Sequence, residues 1–585
     1  MHSSRREFLL SAAAVLALGT VSKRASAQPT PDERLQKLFD EVFERVLEVS
    51  PQLALTLGRG TGLRTADRMR LDDETTEGQA RRKSVTTGNL ADLRAFDAAG
   101  LSLRGRLDYE SVLFGVHAES ITRERFTFGR VDPRISPYVV SHFAGSYLDA
   151  PEFITRNNPS SELGATEVYI SRMRDFARNL DGECERIRTD AAAGVVPPDF
   201  IIDRTVTRMR AQLDKLPSQA NPAAADVLKS EVVPRLLKQI ALIESLRPSA
   251  PHNGGLSRLK HGDDCYAAAL RVGTTTEPDV REFQRSGTAE YHDLNARADK
   301  LLGKVGLRRG SVNERLRILA TDDRYLYPDT AAGRDRAVAD MNARLQSILP
   351  ALRPLFKTPL NSNVEVRKLT PAEELAGRVG YRVAPSIDGS RPGVYFVDLH
   401  AIRDRPTWSL PSVTYHETMP GHLLQLPLQE AANLHPLRQQ LNPRGYFEGW
   451  AIYAEGLAQE IGVYHDDPQS EIGFLQSRLF RVARLLVDLG IHADGWSRDE
   501  AVSALMGMTA QPRALCETDV DRYFVLPGMI AGDEIGYYGW RDARERAHRR
   551  AGRKFDLASF HDQGLKFGPL PQSLLELALA PHIET

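Results

Sequence analysis

The protein has 585 residues, 42 % hydrophobic and 26 % charged, as in soluble globular proteins, and a chain this long is expected to form two or more subdomains. Its 76 lysines and arginines nearly balance 77 aspartates and glutamates, so net charge gives no case for a nucleic-acid partner or an anionic membrane surface. Three widely spaced cysteines argue against a disulfide scaffold and a zinc knuckle, and we expect three buried thiols.

The N-terminus resembles an export signal. Twin arginines, Arg5 and Arg6, precede an apolar run over 8–21, and small residues at 25–27 suit cleavage. This order is typical of a twin-arginine signal peptide, here residues 1–27. The apolar run is too short and too rich in alanine and glycine for a membrane span. We therefore expect a periplasmic or otherwise exported protein with no stable membrane insertion after cleavage.

The next part of the chain is predicted to be helical. Apolar residues recur with a 3.6-residue period over 31–58, 162–193, 223–246 and 279–304. Segments rich in proline and glycine separate these stretches. The pattern predicts a helical N-terminal region over residues 28–355.

Strand patterns are confined to one part of the sequence, at 364–369, 380–383 and 393–398. Turn-forming residues at 388–393 lie between the last two. We expect a mostly α fold with a small β-sheet beside a deep cleft, in a catalytic region over 356–585. The strand at 393–398 is interpreted as an edge that could pair with an extended peptide.

The segment with the clearest chemistry is His416-Glu417-Thr418-Met419-Pro420-Gly421-His422. Neutral imidazoles are good zinc ligands, and a glutamate beside a ligand can act as general base towards water. The usual zinc helix, H-E-x-x-H, places its histidines four residues apart on one face. Here they are six residues apart, about 240° around an unbroken helix. Because Pro420 and Gly421 can break the helix, we expect His422 to return towards His416, which is the more secure ligand.

A third ligand is predicted in the later segment Phe447-Glu448-Gly449-Trp450-Ala451-Ile452-Tyr453-Ala454-Glu455. Glu448 and Glu455 are two helical turns apart and share one face. Unpaired carboxylates would be costly among such apolar neighbours. A buried role, as a metal ligand or as a partner of one, is therefore favoured over simple solvation.

A zinc hydrolase also needs a donor for the developing oxyanion. The segment 532–540, with two tyrosines, is a candidate, and Arg522 and Tyr523 are others, although aromatic clusters on helices more often belong to a core. Arg481 and Arg484, three residues apart, are interpreted as a solvated helix face.

These residues together resemble an exported bacterial family known as domain of unknown function 885, which carries the pattern HExxPGH and is grouped with zinc metallopeptidases of the glutamate-ligand class. The resemblance covers nearly the whole mature chain. Besides the motif, it is carried by Tyr266, Leu270-Arg271, Thr274-Thr275-Thr276, Asp388-Gly389-Ser390-Arg391-Pro392-Gly393, Tyr395, Leu410-Pro411-Ser412, Leu424-Gln425, Glu448-Gly449-Trp450-Ala451, Tyr453-Ala454-Glu455, Asp521-Arg522-Tyr523 and Pro527-Gly528.

The resemblance implies His416, His422 and Glu448 as ligands of one Zn²⁺ per chain, with Glu417 as general base. Segment 532–540 also looks like the tyrosine-bearing helix of thimet-type oligopeptidases, which implies Tyr537 as the oxyanion donor. Further residues are expected to support the ligands or bind substrate: Glu455, Tyr395, Arg522 and Tyr523.

The sequence supports a zinc peptidase acting on short peptides. Two other hypotheses remain open at this point. One is a catalytically inactive periplasmic peptide-binding relative, if the Pro-Gly insertion prevents a competent site. The other is a zinc hydrolase acting on a non-peptide amide or ester.

Overall fold

The computed structural model describes residues 28–131, 134–157, 164–219, 221–375, 378–386 and 390–579. The predicted signal peptide and the first two residues of the predicted 388–393 turn lie outside these residues. Helix accounts for 70 % of the structure and strand for 3 %, which confirms the predicted mostly α fold. Within the described ranges, no helix has the length and apolar character needed to cross a bilayer.

The N-terminal half is helical, as the periodicity predicts. Its helices are α1 (Pro31–Val49), α2 (Pro51–Thr56), α3 (Thr76–Ala95), α4 (Leu103–Arg125), α5 (Ser146–Arg156), α6 (Ala165–Ala192), α7 (Asp199–Gln219), α8 (Ala225–Val227), α9 (Val233–Ser245), α10 (Gly262–Thr274), α11 (Val280–Lys304), α12 (Val312–Ala320) and α13 (Ala331–Leu352). The predicted helix 31–58 is divided at Pro51, which starts α2 because its missing N–H is tolerated in a first turn.

The C-terminal half adds the sheet and a second group of helices. Its strands are β1 (Val364–Lys368), β2 (Tyr381–Val383) and β3 (Gly393–Val397). Its helices are α14 (Pro371–Leu375), α15 (Leu410–Glu417), α16 (His422–Ala431), α17 (Pro436–Gln439), α18 (Arg444–Glu460), α19 (Pro468–His492), α20 (Arg498–Thr509), α21 (Arg513–Val525), α22 (Ala531–Ala551), α23 (Leu557–Lys566) and α24 (Leu575–Leu579).

The sheet has the strand order β1-β3-β2, with β3 parallel to β1 and antiparallel to β2. The central position of β3 means that the predicted free edge at 393–398 is wrong. Both of its sides are paired within the protein, so the sheet edges belong to β1 and β2. The strand pattern shows which residues extend, but not which strand lies in the middle.

The largest hydrophobic core crosses the predicted boundary at residue 355. Leu302 and Ile348 from the N-terminal half belong to the same buried cluster as Trp450, Leu475 and Trp540. The three cysteines are free and buried, as predicted.

Helices α18 and α22 approach each other closely through glycines, beside aromatic contacts such as that of Trp450 with Trp540. A Cβ atom on Gly449 would lie 2.3 Å from the carbonyl carbon of Gly536, and one on Gly536 would lie 2.0 Å from the carbonyl oxygen of Gly445. These distances are far below van der Waals contact, so only glycine allows the two backbones to approach this closely. The crossing fixes the position of α18, which carries both predicted carboxylates.

We predict that Gly536→Ala lowers the stability of the fold by about 1–3 kcal/mol, because the added methyl group forces α18 and α22 apart. The matched control is Gly456→Ala on α18, where an added Cβ would meet nothing within 4 Å. Alanine is favoured over glycine in a helix by about 0.5–1 kcal/mol, so the control should melt at or slightly above the wild-type temperature. Thermal melts followed by circular dichroism at one scan rate compare the proteins. A Gly536→Ala variant as stable as the control would contradict the tight crossing.

Candidate metal centre

The motif helix is broken between its two histidines. Helix α15 ends at Glu417, the chain passes through a cis peptide bond between Met419 and Pro420, and α16 begins at His422. The Gly421 N–H donates to the Tyr415 carbonyl at 3.1 Å, and a Cβ on Gly421 would lie 1.9 Å from the His416 carbonyl oxygen. Glycine is therefore required where the chain folds back onto α15, and the predicted break is confirmed.

This break brings the two imidazoles together. The ring centroids of His416 and His422 are 4.9 Å apart, with the ring planes at 89°. Trp450 on α18 supports the turn between them, because its Nε1–H donates to the Pro420 carbonyl at 3.1 Å. Both imidazoles are buried, at 4 % and 3 % exposure.

Glu448 completes a cluster of three donors. Its Oε2 lies 3.4 Å from His416 Nε2 and 3.8 Å from His422 Nε2. Donor atoms of the three residues all lie within 4.8 Å of one another. Two ligands of one tetrahedral zinc ion, each bonded at about 2.0–2.2 Å, would be about 3.4 Å apart. The cluster therefore has approximately the dimensions of a zinc site.

The other nitrogen of His416 faces Glu455, as the shared helix face predicts. Nδ1–H donates to Glu455 Oε1 at 2.9 Å, which leaves Nε2 directed at Glu448. Ser412 and Ser477 donate to the second oxygen of Glu455, and Arg481 Nη2 donates to the first at 2.9 Å. A carboxylate in this position fixes the tautomer and the orientation of a ligating histidine.

The charges around His416 favour a cation. Burial and the Arg481 guanidinium lower the pKa of His416, but the carboxylates of Glu448 and Glu455 outweigh them and raise it to about 9. Burial would raise the pKa of Glu448, yet contacts with His416 and His422 hold it well below its usual range. Burial likewise acts against ionisation of Glu455, but Arg481 and His416 lower its pKa to about 2. The site therefore stabilises positive charge, as a metal cation requires.

His422 differs from His416 because it lacks a second carboxylate. Burial lowers its pKa, against the opposing effect of Glu448, which favours the neutral form of the ring. Its Nε2 is buried and has no hydrogen-bond partner in the described part of the chain. Such an unsatisfied buried group costs about 1–3 kcal/mol. A neutral imidazole whose free nitrogen faces a histidine and a glutamate suits a metal ligand, so the residues fit the ion that the motif predicts.

Glu417 lies at the edge of the cluster, beside the sheet. Its Oε2 is 3.0 Å from Arg382 Nη1 on β2, and its side chain is 19 % exposed. Tyr395 on β3 is buried nearby, where burial and then the charge of Glu417 raise the pKa of its hydroxyl. The sheet thus places one cation and one neutral hydroxyl group beside the predicted general base.

The remaining predicted residues lie in other surroundings. Tyr537 stacks beneath the Arg478 guanidinium, 3.8 Å from ring centroid to Cζ. Among the described residues, no hydrogen bond or ring contact joins it to His416 or His422. Tyr523 is fully buried, and its hydroxyl donates to Asp519 at 2.6 Å. Arg522 lines the cavity next to the cluster. The role of Tyr537 as an oxyanion donor stays a prediction.

A cavity of about 1020 Å³ opens onto the cluster and corresponds to the predicted deep cleft. His422 and Glu448 form part of its wall. Residues from both halves of the chain line it, including Phe114, Thr275, Tyr381, Arg444 and Phe447. The candidate donor atoms can therefore be reached by a molecule much larger than water.

Sequence reasoning missed several arginines at this site. Arg481 and Arg484 do not form a solvated face, because their side chains are only 13 % and 11 % exposed and pair with buried acids. Arg382 and Arg444 approach the cluster from β2 and from the start of α18. The three-residue spacing of Arg478, Arg481 and Arg484 predicts that they share one helix face. The sequence does not show which acids they pair with, because those acids lie far away in the chain.

Comparisons with known proteins agree with this architecture. A crystal structure described as that of "the putative lipoprotein from Colwellia psychrerythraea" is similar, with a TM-score of 0.81 and 24 % identity, over 95 % of this chain and 99 % of that one. A "putative lipoprotein of unknown function from Shewanella oneidensis" has a TM-score of 0.74 and 16 % identity, over 93 % of this chain and 99 % of that one. No curated protein matches. A family model described as "Bacterial protein of unknown function (DUF885)" matches residues 51–579, and the chain belongs to that family.

Proposed function

We propose that the protein is an exported zinc-dependent peptidase that hydrolyses short peptides. The observation that carries the proposal is the buried cluster of His416, His422 and Glu448, in which His422 Nε2 has no hydrogen-bond partner among the described residues. Histidine nitrogens and a carboxylate oxygen are the donor set of many catalytic zinc sites. In this proposal one Zn²⁺ per chain binds these three residues.

Zinc in such a site supplies Lewis-acid chemistry, since it acidifies water and polarises a carbonyl oxygen. The protein supplies the proton transfer. In this proposal Glu417, which follows His416 directly in the chain, accepts a proton from the attacking water and returns it to the departing amine. Glu455 holds His416 in the tautomer whose Nε2 is available as a ligand.

Tyr395 and Tyr537 are the candidate donors to the oxyanion. The buried Tyr395 hydroxyl keeps its proton because burial and then the charge of Glu417 raise its pKa. The pKa of Tyr537 is also raised by burial. The hydroxyl that acts as donor must lie within hydrogen-bond distance of the oxyanion when substrate is bound.

The cavity supports a peptide as substrate. Its volume of about 1020 Å³ could hold a few residues, and its walls combine aromatic side chains with charged groups. A site enclosed by helices from both halves of the chain favours short peptides over folded proteins.

Two observations support export. The first is the twin-arginine pattern at Arg5 and Arg6 with its apolar run and cleavage residues. The second is that the structures from Colwellia psychrerythraea and Shewanella oneidensis are each described as a "putative lipoprotein", and lipoproteins are a class of exported protein. Twin-arginine export carries folded proteins, which is compatible with loading of zinc before export.

The direct test of the reaction is incubation of the zinc-loaded mature protein with a library of short peptides, followed by mass spectrometry. The proposal predicts new termini produced at peptide bonds. Turnover confined to non-peptide amides or esters would contradict it in favour of another hydrolase. Zinc binding without any turnover would contradict it in favour of a peptide-binding protein.

Glu417→Gln should reduce kcat by about 10²- to 10⁴-fold, because the amide cannot accept the proton from water. The zinc content should remain at the wild-type level, since Glu417 is not among the three proposed ligands. Glu430→Gln makes the same chemical change on the exposed end of α16 and should leave both quantities unchanged. Steady-state kinetics and elemental analysis provide the two readouts. Full activity of Glu417→Gln would exclude Glu417 as the base.

Glu455→Gln should weaken zinc binding by about 10- to 100-fold, because the loss of charge weakens the support of His416 Nδ1. Competition with a chromophoric chelator measures the change in Kd. The control is Glu460→Gln at the exposed end of α18, whose carboxylate pairs with Arg544 at 2.9 Å. Equal zinc affinity of the Glu455 variant and the control, with both proteins folded, would show that Glu455 does not support a ligand.

A further inference from the structure

Among the described residues, the cavity beside the cluster is lined by more arginines than acids: Arg134, Arg382, Arg444 and Arg522 against Glu119 and Glu448. Asp533 lies 3.1 Å from Arg444 Nη2, and Asp519 lies 3.2 Å from Arg484 Nε. Arg522 shares Asp519 with Arg484, because its Nη2 donates to the other oxygen of that carboxylate. Arg444, Arg484 and Arg522 therefore share two aspartates, and of these five residues only Arg444 and Arg522 line the cavity.

Arg522 is the least compensated of the three. Its Nη2 makes one hydrogen bond, to Asp519, and its Nε is buried with no partner in the described part of the chain. Burial and the neighbouring charge of Arg484 lower the pKa of Arg522. Its side chain is still 26 % exposed and lines the cavity. An anion in the cavity would offset both the desolvation and the repulsion.

Arg444 connects this positive wall to the metal centre. It lines the same cavity as Arg522 and Glu448. It also contributes to the lowered pKa of Arg522. The cationic groups and the metal-binding donors therefore belong to one continuous surface.

We propose that Arg522, with Arg444 beside it, binds a free carboxylate of the substrate while the bond to be cleaved lies at the metal centre. This inference rests on the proposed peptidase function and specifies its substrate class. A planar guanidinium can bind a carboxylate through two parallel hydrogen bonds, which suits it to this task. The carboxylate belongs either to the C-terminal residue of the peptide or to an acidic side chain, and both present the same chemistry.

The neighbouring cavity wall is apolar. Phe447, Leu526 and Met529 line it together with Arg522. A carboxylate held there would be partly shielded from water, which strengthens its interaction with the guanidinium. The preferred substrate is thus a short peptide that carries a carboxylate next to an apolar side chain.

The test measures binding separately from turnover. Three peptides are titrated by calorimetry: Ala-Ala-Phe with a free C-terminus, the same peptide as its C-terminal amide, and Ala-Glu-Phe as its C-terminal amide. The protein is the zinc-loaded full-length mature chain with Glu417→Gln, so that cleavage is suppressed during the titration. The comparison protein carries Arg522→Gln in addition.

At least one carboxylate-bearing peptide should bind about 10- to 100-fold more tightly than the neutral Ala-Ala-Phe amide. Preference for the free C-terminus identifies the terminal carboxylate, and preference for Ala-Glu-Phe amide identifies the acidic side chain. Arg522→Gln should reduce either preference to within about threefold. Equal binding of all three peptides, or a preference that survives Arg522→Gln, would overturn the proposal.

The matched control is Arg513→Gln on the same helix, α21. Arg513 also pairs with an acid on its own helix, Glu517, but its side chain is 59 % exposed and does not belong to the cavity wall. This control should keep the full preference for the carboxylate. If Arg522→Gln does not fold, Arg522→Lys replaces it, because lysine retains the positive charge beside Asp519. The preference of the lysine variant for the carboxylate-bearing peptide should be several-fold smaller than that of the protein with Arg522. An unchanged preference would contradict the inference.

The failure of this inference can be distinguished from the failure of the peptidase proposal. A preference that depends on Arg522, in a protein whose wild-type form cleaves no peptide, would support the carboxylate site and reject peptidase activity. Wild-type turnover of neutral and carboxylate-bearing peptides with equal kcat/KM would reject the carboxylate site alone.

Discussion

The buried imidazole of His416 depends on two carboxylates from one helix. Glu455 accepts the proton of its Nδ1, and Glu448 faces its Nε2, so α18 contacts both ring nitrogens. This arrangement requires α18 to be fixed against α15 to within a hydrogen-bond length. On α18 itself, the glycine contact at Gly449 and Gly536 lets α22 pack directly against the backbone.

The same helix also determines the electrostatics of the centre. Two carboxylates in an apolar helix would be too costly to bury without partners. Helix α19 compensates the charge of Glu455 through Arg481. The same helix carries Arg478, which pairs with Glu534 on α22. Removal of one partner from such a buried pair typically costs about 3–5 kcal/mol, because it leaves an uncompensated charge. The residues that orient the donors therefore also hold the helices together.

The sequence predicts this centre where the chemistry is local. The histidines, Pro420 and Gly421 are close together in the chain, and the seven-residue spacing of Glu448 and Glu455 fixes their common face. The 3.6-residue period predicts the helices. Alternation predicts β1 and β2, and aromatic and β-branched residues predict β3.

The sequence does not reveal features that depend on distant partners. The order of the strands is decided by tertiary packing, so β3 lies in the centre although its pattern also suits an edge. Arg481 and Arg484 have the charge pattern of an exposed face, and only the fold shows the acids that they meet. The excess of guanidinium groups around Arg522 is hidden for the same reason, because its members come from α18, α19 and α21.

The proposal that His416, His422 and Glu448 bind one metal ion is tested most directly by a substitution of His422. Elemental analysis should compare the purified mature wild-type protein with His422→Ala after zinc reconstitution and removal of excess metal. We predict about one zinc per chain in the wild type and a loss of that zinc in a folded His422→Ala protein. A wild-type protein that retains no zinc, or a variant that retains it fully, would contradict zinc binding by His416, His422 and Glu448.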